Sequence, residues 1–166
     1  MHSKDIVYRD LKPENLLVSH VDGYLKLADF GNSKQIKGKT YTLCGTPEYI
    51  APEILTNKGH GLAVDWWSLG ILIFEFLSGD VPFCSDDPLK LYQLVLKGKI
   101  KYPKSISGDA KSLIKHLLQV DVSKRYGNMF NKSNDIKNHP FLKGKVNFSN
   151  LYYKQEESPY IPVNTR

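Results

Sequence analysis

Two short polar segments near the start of the chain have residue types and a spacing that suit the transfer of a phosphoryl group. Asp10 precedes Asn15 by five residues and Lys12 lies between them, so one loop offers a candidate base, a cation and an amide oxygen. Asp29 adds a second carboxylate further along the chain. Magnesium ions prefer one or two carboxylates together with phosphate oxygens and water, and carboxylate and amide oxygens that face a nucleotide meet this demand. These residues therefore predict phosphoryl-transfer chemistry.

A short β-hairpin is predicted to bring the two segments together. Residues 16–18 and 24–28 have the composition of two strands, and Asp22-Gly23 between them is a two-residue turn signal. The strands begin directly after the first polar segment and end directly before the second. Pairing of the strands would therefore place the two acidic loops side by side.

Most of the remaining sequence is predicted to be loop and helix. Residues 31–49 show no periodicity and predict a long loop, which inside a compact domain is usually functional. Residues 63–79 are long enough for a helix but apolar on nearly every face, which predicts a buried central helix. A carboxylate in such a helix needs partners that offset its desolvation, so Asp65 and Glu75 are the exceptions to a plain core role.

Three further helices are predicted from caps and spacing. One begins at Asp87-Pro88 and ends at Gly98, because aspartate caps helices and proline is favoured in the first turn. Another begins near Ser107, and a short one covers residues 135–138. The apolar faces of the two longer helices are predicted at Leu89, Tyr92, Val95 and Leu96, and at Leu113, Ile114, Leu117 and Leu118.

The order of several motifs along the chain resembles that of the eukaryotic protein kinases. These motifs are the catalytic-loop pattern D-x-x-x-x-N within residues 8–15, Asp-Phe-Gly at 29–31, Ala-Pro-Glu at 51–53 and Asp-Trp-Trp at 65–67. The string Thr-Leu-Cys-Gly-Thr-Pro-Glu-Tyr at 42–49, and Tyr8 in place of the usual histidine, resemble the AGC branch of the family. Segments 118–121, 125–128 and 134–139 resemble the cAMP-dependent kinases, and the cGMP-dependent kinases remain the alternative.

The resemblance implies a fold and a domain organisation. We expect a mainly α structure with a short β-hairpin, namely the large, C-terminal lobe of a protein kinase in residues 1–142. Residues 143–166 resemble the start of the AGC-type C-terminal tail. The small lobe, with its glycine-rich loop and strand lysine, is expected to be absent, because the chain starts where the family ends a helix before the catalytic loop. The isolated chain is therefore expected to be poorly active or inactive.

The resemblance also implies an activity and its catalytic residues. A serine/threonine protein kinase transfers the γ-phosphate of ATP to a hydroxyl group and uses Mg²⁺ as its cofactor. By resemblance, Asp10 accepts or orients the proton of the substrate hydroxyl and Lys12 steadies the γ-phosphate. Asn15 and Asp29 hold magnesium ions, and Thr46 links Asp10 to Lys12.

Regulation and substrate binding follow from the resemblance in the same way. Thr42 occupies the family's activation-loop phosphorylation position, with Arg9 and Lys34 as its basic partners. The resemblance assigns arginine recognition to Glu14, Glu48 and Glu75, and the apolar pocket for the residue after the acceptor to Leu43, Pro47 and Ile50. Protein substrates with basic residues before the acceptor are therefore expected, as is a cyclic-nucleotide-binding regulatory subunit.

Three residues are assigned structural roles by the resemblance. Asp65 corresponds to the residue that anchors the catalytic-loop backbone by hydrogen bonds. Glu53 and Arg125 correspond to the buried ion pair that ties the activation segment to the lower helices. Loss of one partner of such a pair would leave an uncompensated charge.

Composition excludes several other classes of function. The chain has 166 residues and a net charge of +6, but its lysines are scattered and form no basic stripe with interleaved aromatics, so nucleic-acid binding is not expected. Cys44 and Cys84 lie far apart, which argues against a disulfide framework or a zinc site. No apolar segment is long enough to span a membrane. A cytoplasmic location is expected, with the nucleus as a second one.

Two rival functions remain open at this point. A lobe without its partner could act as a module that docks substrates or a regulatory subunit through the helix around Tyr92, without catalysis. A small-molecule kinase can share an aspartate-rich loop, but it would not need the long segment 31–53 with its peptide-docking pocket.

Overall fold

The computed structural model describes residues 1–163 and is dominated by helices. Within these residues the chain forms four short strands and six α-helices. The strands are β1 (Ile6–Val7), β2 (Leu16–Val18), β3 (Leu25–Leu27) and β4 (Lys34–Gln35). The helices are α1 (Pro52–Leu55), α2 (Ala63–Ser78), α3 (Pro88–Lys97), α4 (Gly108–Leu117), α5 (Asn134–Lys137) and α6 (Phe148–Tyr152). The predicted class, mainly α with a short hairpin, is confirmed.

Helix α2 is the centre of the core, as its nearly uniform apolar composition predicts. Trp67 and Ile71 have no exposed surface, and helix α4 packs directly against α2. A Cβ atom at Gly70 would lie 2.8–2.9 Å from the side chains of Leu117 and Leu118, so only glycine allows the two helices to approach this closely. Gly79 then ends α2 in the left-handed conformation (φ 85°).

Helix α3 begins and ends where its capping residues predict, but only Tyr92 and Val95 of its predicted apolar face pack against the core. Asp87 accepts a hydrogen bond from the amide of Leu89 at 2.9 Å, and Gly98 ends the helix with φ 60°. The prediction that Leu89 and Leu96 belong to the core face is wrong, because they are 71% and 40% exposed. Leu91 is buried instead, and together with Val95, one turn further on, it faces the core. The sequence offers apolar residues on both faces, and tertiary packing selects one.

The second long helix and the short helix after it agree with the predicted pattern. All four residues of the predicted face of α4, namely Leu113, Ile114, Leu117 and Leu118, are buried. Helix α5 covers residues 134–137 and adds the buried Ile136 to the Leu113 and Leu117 cluster. Within residues 1–163, no helix is both long enough and apolar enough to cross a membrane.

The hairpin forms, but its connection is longer than predicted. Strands β2 and β3 pair in antiparallel fashion, with Leu16 opposite Leu27. The amide of Ser19 donates to the carbonyl of Tyr24 at 3.0 Å, so residues 20–23 form a four-residue loop and the predicted two-residue turn is wrong. Asp22 shapes this loop by accepting a hydrogen bond from the amide of Tyr24 at 3.2 Å.

The segment predicted as one unstructured loop contains two long-range backbone pairings. Strand β4 pairs with β1, with Ile6 opposite Gln35. Thr40 pairs with His60 through two backbone hydrogen bonds of 2.9 Å each. Such short pairings leave no periodicity in the sequence, which explains why pattern reasoning missed them.

The segment after Leu142 returns to the tip of the hairpin. Lys154 forms an ion pair with Asp22 at 2.7 Å, and the hydroxyl of Ser158 donates to the carbonyl of Gly23 at 3.2 Å. A Cβ atom at Gly23 (φ 69°) would lie 2.3–2.5 Å from Ser158 and Tyr160, so this contact requires glycine. The predicted tail extends to residue 166, and its last three residues lie outside the described range.

Candidate active site

Three side chains from two distant segments meet around the carboxylate of Asp10. Asn15 donates to Asp10 Oδ2 at 3.2 Å and to its backbone carbonyl at 2.8 Å. The hydroxyl of Thr46 donates to Asp10 Oδ1 at 3.0 Å. Lys12 Nζ lies 2.8 Å from the Thr46 hydroxyl and 3.3 Å from Asp10 Oδ2. The structure therefore brings together all four residues that the sequence assigned to catalysis.

These neighbours control the charge of Asp10. Burial alone would raise its pKa, because only 6% of the residue is exposed. The hydrogen bonds from Thr46, Lys12 and Asn15, together with the charge of Lys12, outweigh burial and hold the pKa of Asp10 below the ordinary aspartate value. Asp10 is therefore an ionised hydrogen-bond acceptor at neutral pH.

The hairpin joins the Asp29 segment to this cluster. The amide of Ala28 donates to the carbonyl of Asn15 at 2.9 Å, and the hydroxyl of Tyr8 donates to the carbonyl of Ala28. Burial raises the pKa of Tyr8, and the charges of Asp10 and Asp29 raise it further, so the phenol stays a neutral donor. Asp29 itself has φ 50°, a conformation that costs free energy in a residue other than glycine and is commonly found at functional sites.

The donor atoms of Asn15 and Asp29 suit a magnesium ion. Both observed side-chain bonds of Asn15 use its amide nitrogen, which leaves its oxygen as an acceptor. Asp29 is exposed and accepts a hydrogen bond from the amide of Gly31 at 3.0 Å. Asn15 directly precedes β2 and Asp29 follows β3 by two residues, so both lie at the open end of the hairpin. Their amide and carboxylate oxygens form the hard-oxygen set that magnesium prefers.

Asp65, at the start of α2, holds the backbone that leads into the catalytic loop. Its carboxylate accepts hydrogen bonds from the amide of Tyr8 at 2.9 Å and from the amide of Arg9 at 2.8 Å. The ring of His2 adds a third contact, at 2.7 Å. Arg9 has φ 72°, so these bonds hold a strained residue directly before Asp10. The role of His2 carried no signal in the sequence.

Glu53 and Arg125 form the pair that the sequence assigned to them. Arg125 has no exposed surface and donates to both carboxylate oxygens of Glu53, at 2.6 and 2.9 Å. It also donates to the carbonyls of Ala63 and Gln119, and its guanidinium lies 5.2 Å from the centre of the Trp67 ring. Every face of the buried cation therefore has a partner.

Comparison with known proteins decides the family. The protein kinase domain model matches residues 1–142. This chain belongs to the protein kinase family.

Several named relatives of this kinase chain are cAMP-dependent enzymes. The human cAMP-dependent protein kinase catalytic subunit PRKX is 52% identical over 162 residues, which are 98% of this chain and 45% of the relative. The cAMP-dependent protein kinase catalytic subunit of Dictyostelium discoideum is 49% identical over 98% of this chain and 25% of its own length. The cAMP-dependent protein kinase type 3 of Saccharomyces cerevisiae is 46% identical over 98% of this chain and 40% of its own length. This chain thus spans less than half the length of these relatives.

The activation segment of this kinase chain packs on the catalytic loop through a glycine. A Cβ atom at Gly45 (φ 108°) would lie 2.9 Å from the carbonyl of Arg9, so the two segments could not approach this closely with another residue. Thr42 is exposed. Lys34 donates to the hydroxyl of Thr40 at 3.2 Å rather than to Thr42, and Arg9 Nε donates to the carbonyl of Asn32 at 2.6 Å.

The three carboxylates assigned to arginine recognition surround one tyrosine. The hydroxyl of Tyr49 donates to Glu75. Burial raises the pKa of Tyr49, and the charges of Glu75, Glu14 and Glu48 raise it further. All three carboxylates therefore lie close enough to Tyr49 to affect its ionisation, and Glu75 also contacts it directly. Sequence reasoning assigned no role to Tyr49, although it lies inside a motif that identified the family.

The residues assigned to the apolar pocket differ in their exposure. Leu43 is 65% exposed and Pro47 is also exposed. Ile50 is 5% exposed and packs in the main core, so it can form only the floor of such a pocket.

Proposed function

We propose that this chain is the large-lobe part of a serine/threonine protein kinase of the cAMP-dependent type. The observation that carries the proposal is the Asp10 cluster, in which a buried and ionised carboxylate is held by Thr46, Lys12 and Asn15. A complete enzyme would transfer the γ-phosphate of ATP to serine or threonine. Residues 1–142 form the kinase lobe in this proposal, and residues 143–166 begin the C-terminal tail.

Each member of the cluster has a distinct proposed role. Asp10 orients the substrate hydroxyl and accepts its proton, and Lys12 lies close enough to Asp10 to steady the transferred phosphate. Asn15 and Asp29 hold magnesium, which neutralises phosphate charge when bound. Catalysis of this kind depends on positioning and electrostatics, so the hydrogen bonds that orient Asp10 matter as much as its identity.

The cAMP-dependent names of the relatives favour that type over the cGMP-dependent alternative. They also favour a cyclic-nucleotide-binding regulatory subunit as a partner. A location in the cytoplasm, with the nucleus as a second site, belongs to the same proposal. The second candidate function, a docking module without catalysis, would use the helix around Tyr92 and would not need the Asp10 cluster.

The proposed substrates have arginine before the acceptor serine or threonine, because Glu14, Glu48 and Glu75 all lie close enough to Tyr49 to raise its pKa and so concentrate negative charge there. Arginine pairs bidentately with carboxylates, and hydrogen bonds to charged groups contribute about 1.5–3 kcal/mol. In a chimera that joins this chain to the N-terminal part of human PRKX, we expect arginine two and three residues before the acceptor to be preferred about tenfold or more over alanine. Phosphorylation of a peptide library with ATP and magnesium measures this preference.

A matched pair of variants locates the specificity in the chimera. Glu75→Gln should weaken the preference for arginine, whereas Glu157→Gln, at an exposed residue of the tail, should leave it unchanged. Equal use of arginine and alanine peptides would contradict the proposed substrate class. Peptide binding without phosphorylation would support the docking module instead.

Removal of the proposed phosphorylation site should lower the activity of the same chimera. A phosphate on Thr42 would form charge-assisted hydrogen bonds with Arg9, whose backbone leads directly into Asp10. We expect Thr42→Ala to lower kcat by about tenfold to a hundredfold relative to the protein phosphorylated at Thr42. Treatment of the parent chimera with phosphatase should produce a similar loss. Equal rates for the variant and the phosphorylated parent would refute this role of Thr42.

A further inference from the structure

Two buried side-chain nitrogen atoms beside the activation segment have no hydrogen-bond partner within residues 1–163. They are Nη1 of Arg9 and Nε2 of His60. Arg9 is 9% exposed and His60 is 3% exposed, so both side chains are largely shielded from bulk solvent. Buried polar groups without partners are rare in folded proteins and call for a ligand or another physical reason.

The backbone places His60 and the activation segment on a common face. Thr40 and His60 exchange two backbone hydrogen bonds of 2.9 Å each. Directly opposite residues of an antiparallel pair project their side chains to the same side, with Cβ atoms about 4.5–5.5 Å apart. Lys34 Nζ reaches the same place, 3.2 Å from the Thr40 hydroxyl. Thr42 is exposed and lies two residues beyond Thr40 along the same segment.

Four charged side chains from separate segments act on the pKa of His60. Burial lowers the pKa of His60, and the cations of Arg9 and Lys34 lower it further. The carboxylates of Glu53, on α1, and Asp65, on α2, act in the opposite direction but do not compensate. In the unphosphorylated chain His60 is therefore neutral at neutral pH, beside two cations. An anion is the group that this surface lacks.

The other charged groups close to His60 are either cations or carboxylates that already bind other partners. Lys39 Nζ donates to the carbonyl of Lys58 at 3.1 Å, and both residues are exposed. Glu53 is engaged by Arg125, and Asp65 by the backbone of the catalytic loop. Both carboxylates near His60 are thus committed to other partners.

We propose that His60 is a third basic ligand, beside Arg9 and Lys34, for a phosphoryl group on Thr42, and that it takes up a proton when this group binds. The inference rests on the proposed phosphorylation of Thr42 and adds a residue that the family resemblance did not assign. His60 acts here as a positioning residue, because it would hold the activation segment and would not touch the reacting atoms.

This role couples phosphorylation to pH with a definite sign. A phosphate dianion within reach of the imidazole favours its charged form, so phosphorylation raises the pKa of His60 from its lowered value. By linkage, phosphate anchoring is strongest where His60 is protonated and weakens as the pH rises through the raised pKa. Below about pH 6 the phosphate itself starts to lose charge, which limits the effect on the acidic side.

The direct test measures the pKa of His60 in the 166-residue chain with and without phosphothreonine at position 42. We expect imidazole NMR signals to give a pKa of His60 that is about one unit or more higher in the phosphorylated chain. His139 is the internal control, because it is also buried (6% exposed), its pKa is also lowered by burial, and its Nε2 contacts Ser112 at 3.1 Å. The pKa of His139 should not move.

A second measurement follows removal of the phosphate by a phosphatase as a function of pH. A one-unit rise in the pKa corresponds to about tenfold stronger anchoring when His60 is protonated. In the parent chain, protection of Thr42 should therefore fall by up to about tenfold as the pH rises through the raised pKa. His60→Gln keeps a polar side chain but cannot take up the proton, so its protection should lack this step.

The outcomes separate this inference from the function on which it rests. If the phosphorus NMR signal of phosphothreonine 42 responds to Arg9→Lys while the pKa of His60 stays unchanged, the role of His60 is refuted and the phosphorylation site stands. If Arg9→Lys leaves the phosphorus signal unchanged and phosphorylation leaves the pKa of His60 unchanged, the phosphorylation site itself is refuted. The titration of the parent chain needs no variant, so misfolding of His60→Gln would not prevent a decision.

Discussion

Arg125→Met should lower the free energy of unfolding by about 3–5 kcal/mol, the cost typical of removing one partner of a buried ion pair. Methionine has a similar volume, so the loss arises from charge and hydrogen bonding more than from a cavity. The Glu53 carboxylate would lose both of its guanidinium bonds, and the carbonyls of Ala63 and Gln119 would lose their donor. Contact with Trp67 would lose its cationic component.

The measurement is denaturation by urea at pH 7, with the midpoint and slope compared for the parent and variant chains. Lys124→Met is the matched control, since the neighbouring Lys124 pairs with Asp121 at 3.5 Å on the surface and its side chain is 73% exposed. Such exposed pairs contribute about 0–1 kcal/mol. Similar midpoints for the two variants would contradict the role of Arg125 in stability.

A double variant shows how much of the lost stability comes from the interaction between Glu53 and Arg125. Glu53→Gln removes the charge that Arg125→Met leaves uncompensated. The two changes together should therefore destabilise the protein by less than the sum of the single effects, because partners in contact are not additive.

Asp10→Asn should lower kcat by about a hundredfold to ten-thousandfold in the chimera with human PRKX, the range typical of general-base groups. Asparagine can still accept a hydrogen bond from Thr46, so the loop keeps most of its geometry. It carries no charge and cannot accept the proton of the substrate hydroxyl. The affinity for ATP should therefore change much less than kcat, which is the signature of an interaction made in the transition state.

The control for this substitution is Asp5→Asn. Asp5 is exposed and has φ 56°, a conformation that asparagine also tolerates, so the variant makes the same chemical change outside the cluster. Its kcat should match that of the parent. If both variants keep the parent rate, Asp10 has no catalytic role in this enzyme.

The lowered pKa of Asp10 also predicts how the stability of the folded chain depends on pH. The hydrogen bonds that lower the pKa stabilise the folded chain above the ordinary aspartate pKa, and this contribution is lost as the pH falls through the lowered value. Asp10 is ionised throughout the neutral range, so its titration should not shape the rate profile there. In Asp10→Asn, the corresponding loss of stability toward acid should be smaller than in the parent chain.

The amino-acid sequence by itself determined the family, the candidate catalytic residues and most of the helices. Asp10, Asn15 and Asp29 are identified by type and spacing, because magnesium and phosphate chemistry restricts which side chains can serve. Helix α2 is evident from its length and apolar composition, and α4 from its repeat. These features are local, and their physical causes are helix periodicity, capping and burial of apolar surface.

Beyond the contacts that the family resemblance implied, only the tertiary structure decided which distant groups meet. The register of the hairpin, the choice of Leu91 over Leu89 in the core and the bond from Tyr49 to Glu75 depend on residues far apart in the chain. The pairing of Thr40 with His60 is of the same kind, since two backbone hydrogen bonds across 20 residues leave no periodic trace in either segment. Local patterns report the preferences of one segment, whereas contacts between segments depend on which arrangement buries the most apolar surface and satisfies the buried polar groups. For this reason, the nitrogens of Arg9 and His60 that lack a partner within residues 1–163 can be recognised only in the folded chain.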